Sequence, residues 1–220
     1  MINASSTALW LSGGTLLLYF FAPLVLGWLA FRLGPRGAWL RHLLTRMNGY
    51  EPLGDHGVVF QRDSTSCGEA CTEMVLRARR PSAREGGLSE LRSMVGTSML
   101  DLRDSLGRRG IDANGERFSS LGELGQRVSD GCLAVASVDI SFHLGGENRL
   151  LRPWWWVVQR LLRGGLGRLR HWVLVTGMPS PDTLELADPF LGRLAVPIGS
   201  FERTWNGVAL VVAGEIPCTA

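Results

Sequence analysis

The sequence contains no lysine: all 23 of its Lys+Arg residues are arginine, set against 20 Asp+Glu in 220 residues. Without a side-chain amine there is no Walker-type phosphate loop, no Schiff-base cofactor site and no Ser-Lys dyad. Acid is missing locally as well. Residues 1–49 carry Arg32, Arg36, Arg41 and Arg46 and no Asp or Glu, while the rest of the chain holds 19 arginines against 20 acids. The net charge of +3 therefore belongs to the N-terminal segment, and a nucleic-acid partner is not expected of the near-neutral body. Cysteine is scarce, at four residues. Cys67 and Cys71 have no second Cys or His pair at a zinc spacing, so neither a metal nor another cofactor is expected.

What is present begins with an uncharged stretch. From Ala8 to Phe31 no residue is charged, and the segment from Leu16 onward is apolar almost without interruption. At about 1.5 Å rise per residue it is long enough to cross a hydrocarbon core of roughly 30 Å. Pro23 and Gly27 disfavour a soluble helix but are tolerated in membrane spans. A cleaved secretory signal would need positive charge before the apolar run and a small-x-small site after it, and here the arginines follow the run. Residues 1–34 are therefore expected to be a retained transmembrane anchor rather than a signal or a buried core helix. The arginine collar would set the following domain in the cytoplasm. Residues 35–49 follow as a juxtamembrane amphipathic helix, with Trp39, Leu40, Leu43, Leu44 and Met47 on one stripe and Arg41, His42 and Arg46 mostly off it. Such a helix suits the headgroup layer. It also suits packing on a protein body.

Residues 50–220 are of ordinary single-domain size. Helical periodicity predicts helices over Cys67–Arg79, Leu88–Val95 and Met99–Arg109. Short apolar runs predict strands at Cys132–Val138, His171–Met178, Thr183–Leu186, Arg193–Val196 and Val208–Ala213. Helices followed by strands imply an α+β domain, its helices packed on a mostly antiparallel sheet. Between the first two strands, residues 141–170 combine Trp154, Trp155 and Trp156 with six arginines and no acid after Glu147. This composition fits a membrane interface, a peptide-binding surface, or buried tryptophans beside solvated arginines, and it does not separate the three.

The informative cysteine is Cys67. It opens a predicted helix in Ser66-Cys67-Gly68, where free backbone N–H groups stabilise a thiolate, and Gly68 would admit a substrate backbone. Cys71, one turn on, reads as a packing residue. Disulfides are not expected if the domain faces the cytoplasm. A thiol nucleophile needs a base. His171 opens the most apolar strand, and Asp188 follows at a strand end where it could orient that imidazole. His143 and His56 lie in loop-like surroundings and rank below it, although a lone histidine on an apolar strand is usually structural. The order Cys, His, Asp is that of papain-like enzymes.

Gln61-Arg-Asp-Ser-Thr-Ser-Cys67-Gly-Glu-Ala-Cys71, His171-Trp-Val-Leu-Val-Thr-Gly177, and Leu186-Ala-Asp188-Pro189 continuing to Trp205-Asn-Gly207 together resemble the C39 cysteine peptidases, the bacteriocin-leader-processing family. The resemblance spans about residues 50 to 213. It implies a papain-like fold in which Cys67 is the nucleophile, His171 the general base and acid, Asp188 the orienting carboxylate, and Gln61 the donor to the oxyanion. It further implies a leader-peptide substrate cut after a double-glycine-type site, with an exporter as a further partner. The chain departs from the pattern at Ser66, where many relatives carry an acid. Asp63 could substitute, though it reads more simply as a turn residue. Residues 141–170 have the character of an insertion. No ATP-binding cassette is visible, so a stand-alone, membrane-tethered enzyme is expected. The same triad would serve a papain-like acyl transferase or amidase, and a catalytically silent leader-binding module is the third alternative.

Overall fold

The apolar runs that predict strands lie side by side in one sheet. The computed structural model describes residues 25, 29, 32–63, 65–80, 97–139, 142–143 and 170–214. Among these, seven strands are present: β1 (Glu51–Gly54), β2 (Ala113–Arg117), β3 (Leu133–Asp139), β4 (Arg170–Ser180), β5 (Thr183–Asp188), β6 (Gly192–Pro197) and β7 (Trp205–Val212). Their order is β1-β6-β5-β4-β3-β7-β2, and every neighbouring pair is antiparallel. The α+β architecture with an antiparallel sheet is thus as expected.

The central strands are apolar on both faces because both faces are covered. On one face Ala134, Ala136, Val138, Val173, Val175, Leu184, Leu186, Ala209 and Val211 pack with Leu40 and Leu44 of α1 (Ala38–Met47) and with Leu121, Leu124 and Val128 of α4 (Leu121–Ser129). Phe201 of α5 (Ile198–Thr204) joins them. On the other face Val135, Trp172, Leu174, Ala187, Leu210 and Val212 pack with α2 (Cys67–Arg79) and α3 (Met99–Arg108). Alternation along each strand divides its side chains between two cores.

Helix starts follow local chemistry. The Ser98 hydroxyl accepts from the Asp101 amide while the Asp101 carboxylate accepts from the Ser98 amide, a complete capping box for α3. The Ser120 hydroxyl accepts from the Glu123 amide and caps α4. α2 starts and stops where its periodicity places it. The helix predicted over residues 88–95 lies outside the described residues, as does the tract 141–170 apart from Phe142, His143 and Arg170. The proposed membrane run is likewise outside them except for Val25 and Leu29, the second of which packs against the core. Among the described residues no helix is long and apolar enough to cross a membrane.

Four local expectations change. α1 lays Leu40, Arg41, Leu44 and Thr45 inward and leaves Trp39 and Leu43 outward, so its apolar stripe is split between two faces. Arg41, expected off the buried stripe, is only 2 % exposed because it donates to Asp55 Oδ2 at 2.9 Å and lies over the Phe60 ring. Cys132, just before β3, is disulfide-bonded, against the expectation of free thiols throughout, and its partner is outside the described residues.

Gly68 is the fourth change. A Cβ there would come within 2.7 Å of the Thr97 Cβ and 2.8 Å of its hydroxyl. The close approach Gly68 permits is therefore to Thr97 of its own chain, whose carbonyl accepts from the Trp172 indole at 2.8 Å. Gly68→Ala should lower the unfolding free energy by about 1–3 kcal/mol through overpacking. A denaturant midpoint equal to the wild type would remove this reading.

Candidate active site

The site grows from two turns. Before α2 the chain tightens: the Ser66 hydroxyl accepts from the Arg62 and Asp63 amides at 2.9 and 3.0 Å and donates to the Asp63 carbonyl. The Asp63 carboxylate accepts from the amide and hydroxyl of Thr65 at 2.9 Å each, and the amide bond is the main cause of its lowered pKa. Asp63 is thus a turn residue, and Ser66 is the bracket that sets the start of the helix. Cys67 follows as the first helical residue, 6 % exposed.

The second turn ends β5. Asp188 is fully buried, and its Oδ1 accepts from the Phe190 amide at 2.6 Å and the Leu191 amide at 3.0 Å. This Asx-type turn closes on Gly192, whose φ of +101° suits glycine alone. The amide of Gln61 donates to the Pro189 carbonyl at 3.0 Å, joining the two turns. Gln61 is half-buried, and its side-chain Oε1 is enclosed without a partner.

Antiparallel pairing of β4 with β5 brings His171 to the same place. Its Nε2 is 3.3 Å from Asp188 Oδ1, and its ring is close enough to Cys67 for the two to shift each other's pKa. The structure therefore gathers Cys67, His171 and Asp188 into one chain of contacts, with Gln61 beside the Asp188 turn. His56 is exposed and takes no part.

The electrostatics follow from burial and neighbours. Burial opposes the charge on Asp188, but His143 and His171 outweigh it and hold its carboxyl far below the usual range. Burial likewise opposes an imidazolium at His171, yet the Asp188 carboxylate beside it, with the Cys67 contact, pushes its pKa up to about 10. For Cys67 burial again acts against the ion. The hydrogen bond and charge of His171, with the backbone at Trp172 and Gly68, still bring the thiol below its ordinary value. These directions favour a thiolate–imidazolium pair. Cys71 has the opposite fate. It is fully buried, donates to the Trp172 carbonyl at 3.3 Å, and is pushed well up by burial and by the charges at Cys67 and Asp188.

One residue of the cluster was ranked low in the sequence. His143 Nε2 lies 2.9 Å from Asp188 Oδ2, and its ring meets that of His171 edge-on at 4.3 Å. A signal for it did exist. Val138 pairs with His171 across β3 and β4, so residues just past the end of β3 must lie near His171. His143, His171 and Asp188 present ligand atoms within 4.8 Å of one another. They could hold a divalent cation by giving up these hydrogen bonds.

No protein-family model and no curated protein matches the chain. Solved structures of C39-type peptidase domains resemble it. The peptidase domain of Streptococcus ComA, a bifunctional ABC transporter of a quorum-sensing pathway, is 16 % identical over 70 % of this chain and 96 % of that one, with a TM-score of 0.49. A putative C39-like peptidase from Bacillus anthracis is 14 % identical over 73 % and 96 %, with a TM-score of 0.48. A double-glycine-motif protease of an AMS/PCAT transporter, solved with its leader peptide, is 18 % identical over 70 % and 89 %, with a TM-score of 0.45. Likenesses this distant carry nothing about chemistry.

Alkylation tests the electrostatics directly. At neutral pH, iodoacetamide should modify Cys67 at least about tenfold faster than Cys71, because the thiolate is the nucleophile. Because the Cys67 pKa is lowered and that of His171 raised, the ion pair exists between the two and is lost as pH rises through about 10. Equal labelling of the two cysteines by peptide mapping would refute the pair.

Proposed function

We propose that this chain is a cysteine peptidase that cuts leader peptides after a double-glycine-type site. The observation that supports this most is the Cys67–His171–Asp188 contact chain, with the opposed shifts that favour an ion pair. In this reading the Cys67 thiolate attacks the scissile carbonyl carbon, a C–S bond forms, and the carbonyl electron pair moves to oxygen. With Nε2 directed at Asp188, His171 gives its Nδ1 proton to the leaving amine as the C–N bond breaks. Water then adds to the acyl-enzyme, losing its proton to the same nitrogen, and the thiolate leaves. Gln61 donates its side-chain amide to the oxyanion. The peptide substrate, the small residues beside the cut and an exporter partner come from the motif resemblance.

The purified chain incubated with double-glycine leader peptides should release the leader, and Cys67→Ala should abolish the cut. Gln61→Ala should lower kcat by about 10²- to 10³-fold, the cost of one oxyanion donor. Cutting that persists in Cys67→Ala would move the chemistry elsewhere. A stable thioester passed to an added amine, with no hydrolysis, would favour the acyl-transferase reading. Binding of leader peptide without either reaction would favour a silent module.

The same proposal includes a membrane tether. Leu33, Trp39 and Leu43 are 42, 63 and 41 % exposed, beside exposed Arg32, Arg36 and Arg46. Tryptophan and arginine flanking an uncharged apolar run suit an interfacial collar. The collar sets the domain in the cytoplasm, whereas the disulfide at Cys132 is the observation favouring an oxidising compartment. The full chain should sediment with membranes, and a C-terminal fluorescent-protein fusion should glow while an alkaline phosphatase fusion stays silent. The reverse pattern would put the domain on the other side.

A further inference from the structure

The geometry points to His143 as a positioning residue: a second imidazole that shares the Asp188 carboxylate with His171 and fixes its orientation toward the Cys67–His171 pair. Two observations carry this. The carboxylate divides its bonds unevenly. Oδ1 receives the Phe190 and Leu191 amides and His171 Nε2, while Oδ2 receives His143 Nε2 at 2.9 Å, closer than the 3.3 Å of the His171 contact. In a residue with no exposure, an oxygen stripped of its donor has no solvent to replace it. With Oδ2 bare, the carboxylate would turn on its side-chain bond and leave His171.

The second observation is that His143 is itself held. The Asn48 side-chain amide donates to the His143 carbonyl, and the Tyr50 hydroxyl donates to the Phe142 carbonyl, each at 3.1 Å. Tyr50 stacks on Phe142, and the His143 ring packs against Phe142, Phe190 and His171. An imidazole fixed by backbone and ring contacts on these sides can serve as a stop for the carboxylate. Burial keeps His143 below the ordinary histidine pKa, with the His171 charge adding to burial and the Asp188 charge opposing it. Because the carboxylate oxygen can only accept, His143 presents Nε2–H to Oδ2. The charged groups that face it are Asp188 from the end of β5 and His171 from β4, while the Tyr50 hydroxyl is engaged with the Phe142 carbonyl. The proton-transfer role stays with His171.

The inference rests on the peptidase reading only for its turnover arm, so the test has a second arm that needs no peptide. His143→Phe keeps the ring volume and removes the donor, while His143→Gln returns an amide N–H at about the Nε2 position. Leader-peptide cleavage should fall on the order of tenfold or more in kcat for His143→Phe, with KM changed less than about twofold, and should recover in large part in His143→Gln. The midpoint of the pH profile for Cys67 alkylation should rise by about one unit in His143→Phe and return in His143→Gln. If wild-type chain cuts no leader peptide but the alkylation midpoint moves as stated, the peptidase reading fails and this inference stands. If His143→Phe equals the wild type in the alkylation midpoint, or if His143→Gln is as impaired as His143→Phe while both melt like the wild type, the inference is overturned.

Discussion

A single buried charge organises this structure. Asp188 sits at the end of β5 with no exposure, and an ionised carboxylate there is tolerable only if each oxygen is supplied with donors. The chain supplies them from its own turn, through the Phe190 and Leu191 amides, and from two places remote in sequence, His171 of β4 and His143 beyond β3. The strand order follows the same requirement. β5, β4 and β3 are consecutive neighbours in the sheet, so their ends present the carboxylate and the two imidazoles side by side. The helix bearing Cys67 then needs only to pack its start against β4, which the Trp172 and Cys71 contacts achieve.

The N-terminal helix takes part in this arrangement although it holds none of the proposed reacting groups. Just beyond its end, Asn48 and Tyr50 hold the backbone at Phe142 and His143. From its middle, Arg41 reaches Asp55 and covers Phe60, the residue before Gln61. The arginine-rich segment therefore has two uses for the same residue type. Arg36 and Arg46 remain outward as surface charge, while Arg41 is withdrawn into the body to brace the loop that leads to the proposed oxyanion donor. A planar guanidinium that can pair with a carboxylate and lie over a ring at once is suited to that bracing. Lysine is not an equivalent choice there.

What could be read from the sequence follows where the apolar signal is strong. The central strands and the helices carrying Cys67 and the Ser98 cap have clear periodicity, and they lie close to where that periodicity puts them. The two strands with no signal, β1 and β2, are the two edges of the sheet. Glu51, Pro52, Asn114 and Glu116 have no second core to fill and resist further strand pairing. α4 was hidden by Gly122 and Gly125, which weaken helical preference. Its Ser120–Glu123 cap and the Leu121, Leu124, Val128 spacing were the available clues. In the site, the motif order singled out Cys67, His171, Asp188 and Gln61. His143 ranks low by sequence because its surroundings there are loop-like, and only the pairing of β3 with β4, which sets Val138 opposite His171, brings that end of β3 to the site.

Cys67 and Cys71 show why local composition could not have decided the chemistry by itself. They lie one turn apart on one helix, both are buried, and both interact with the strand that carries His171 and Trp172. Their thiols are nevertheless driven in opposite directions. Cys67 is at the helix start and meets an imidazole whose positive charge is sustained by Asp188, so the ion gains more from that partner than it loses to burial. Cys71, one turn deeper, has only a carbonyl to bond and two negative centres nearby, so burial prevails. The opposed shifts of the two thiols thus depend mainly on the imidazole that only Cys67 meets, and the charge of that imidazole depends in turn on the carboxylate. The orientation of Asp188 is accordingly the variable to which the reactivity of Cys67 should be most sensitive, and the contacts that hold that carboxylate matter as much as the sulfur itself.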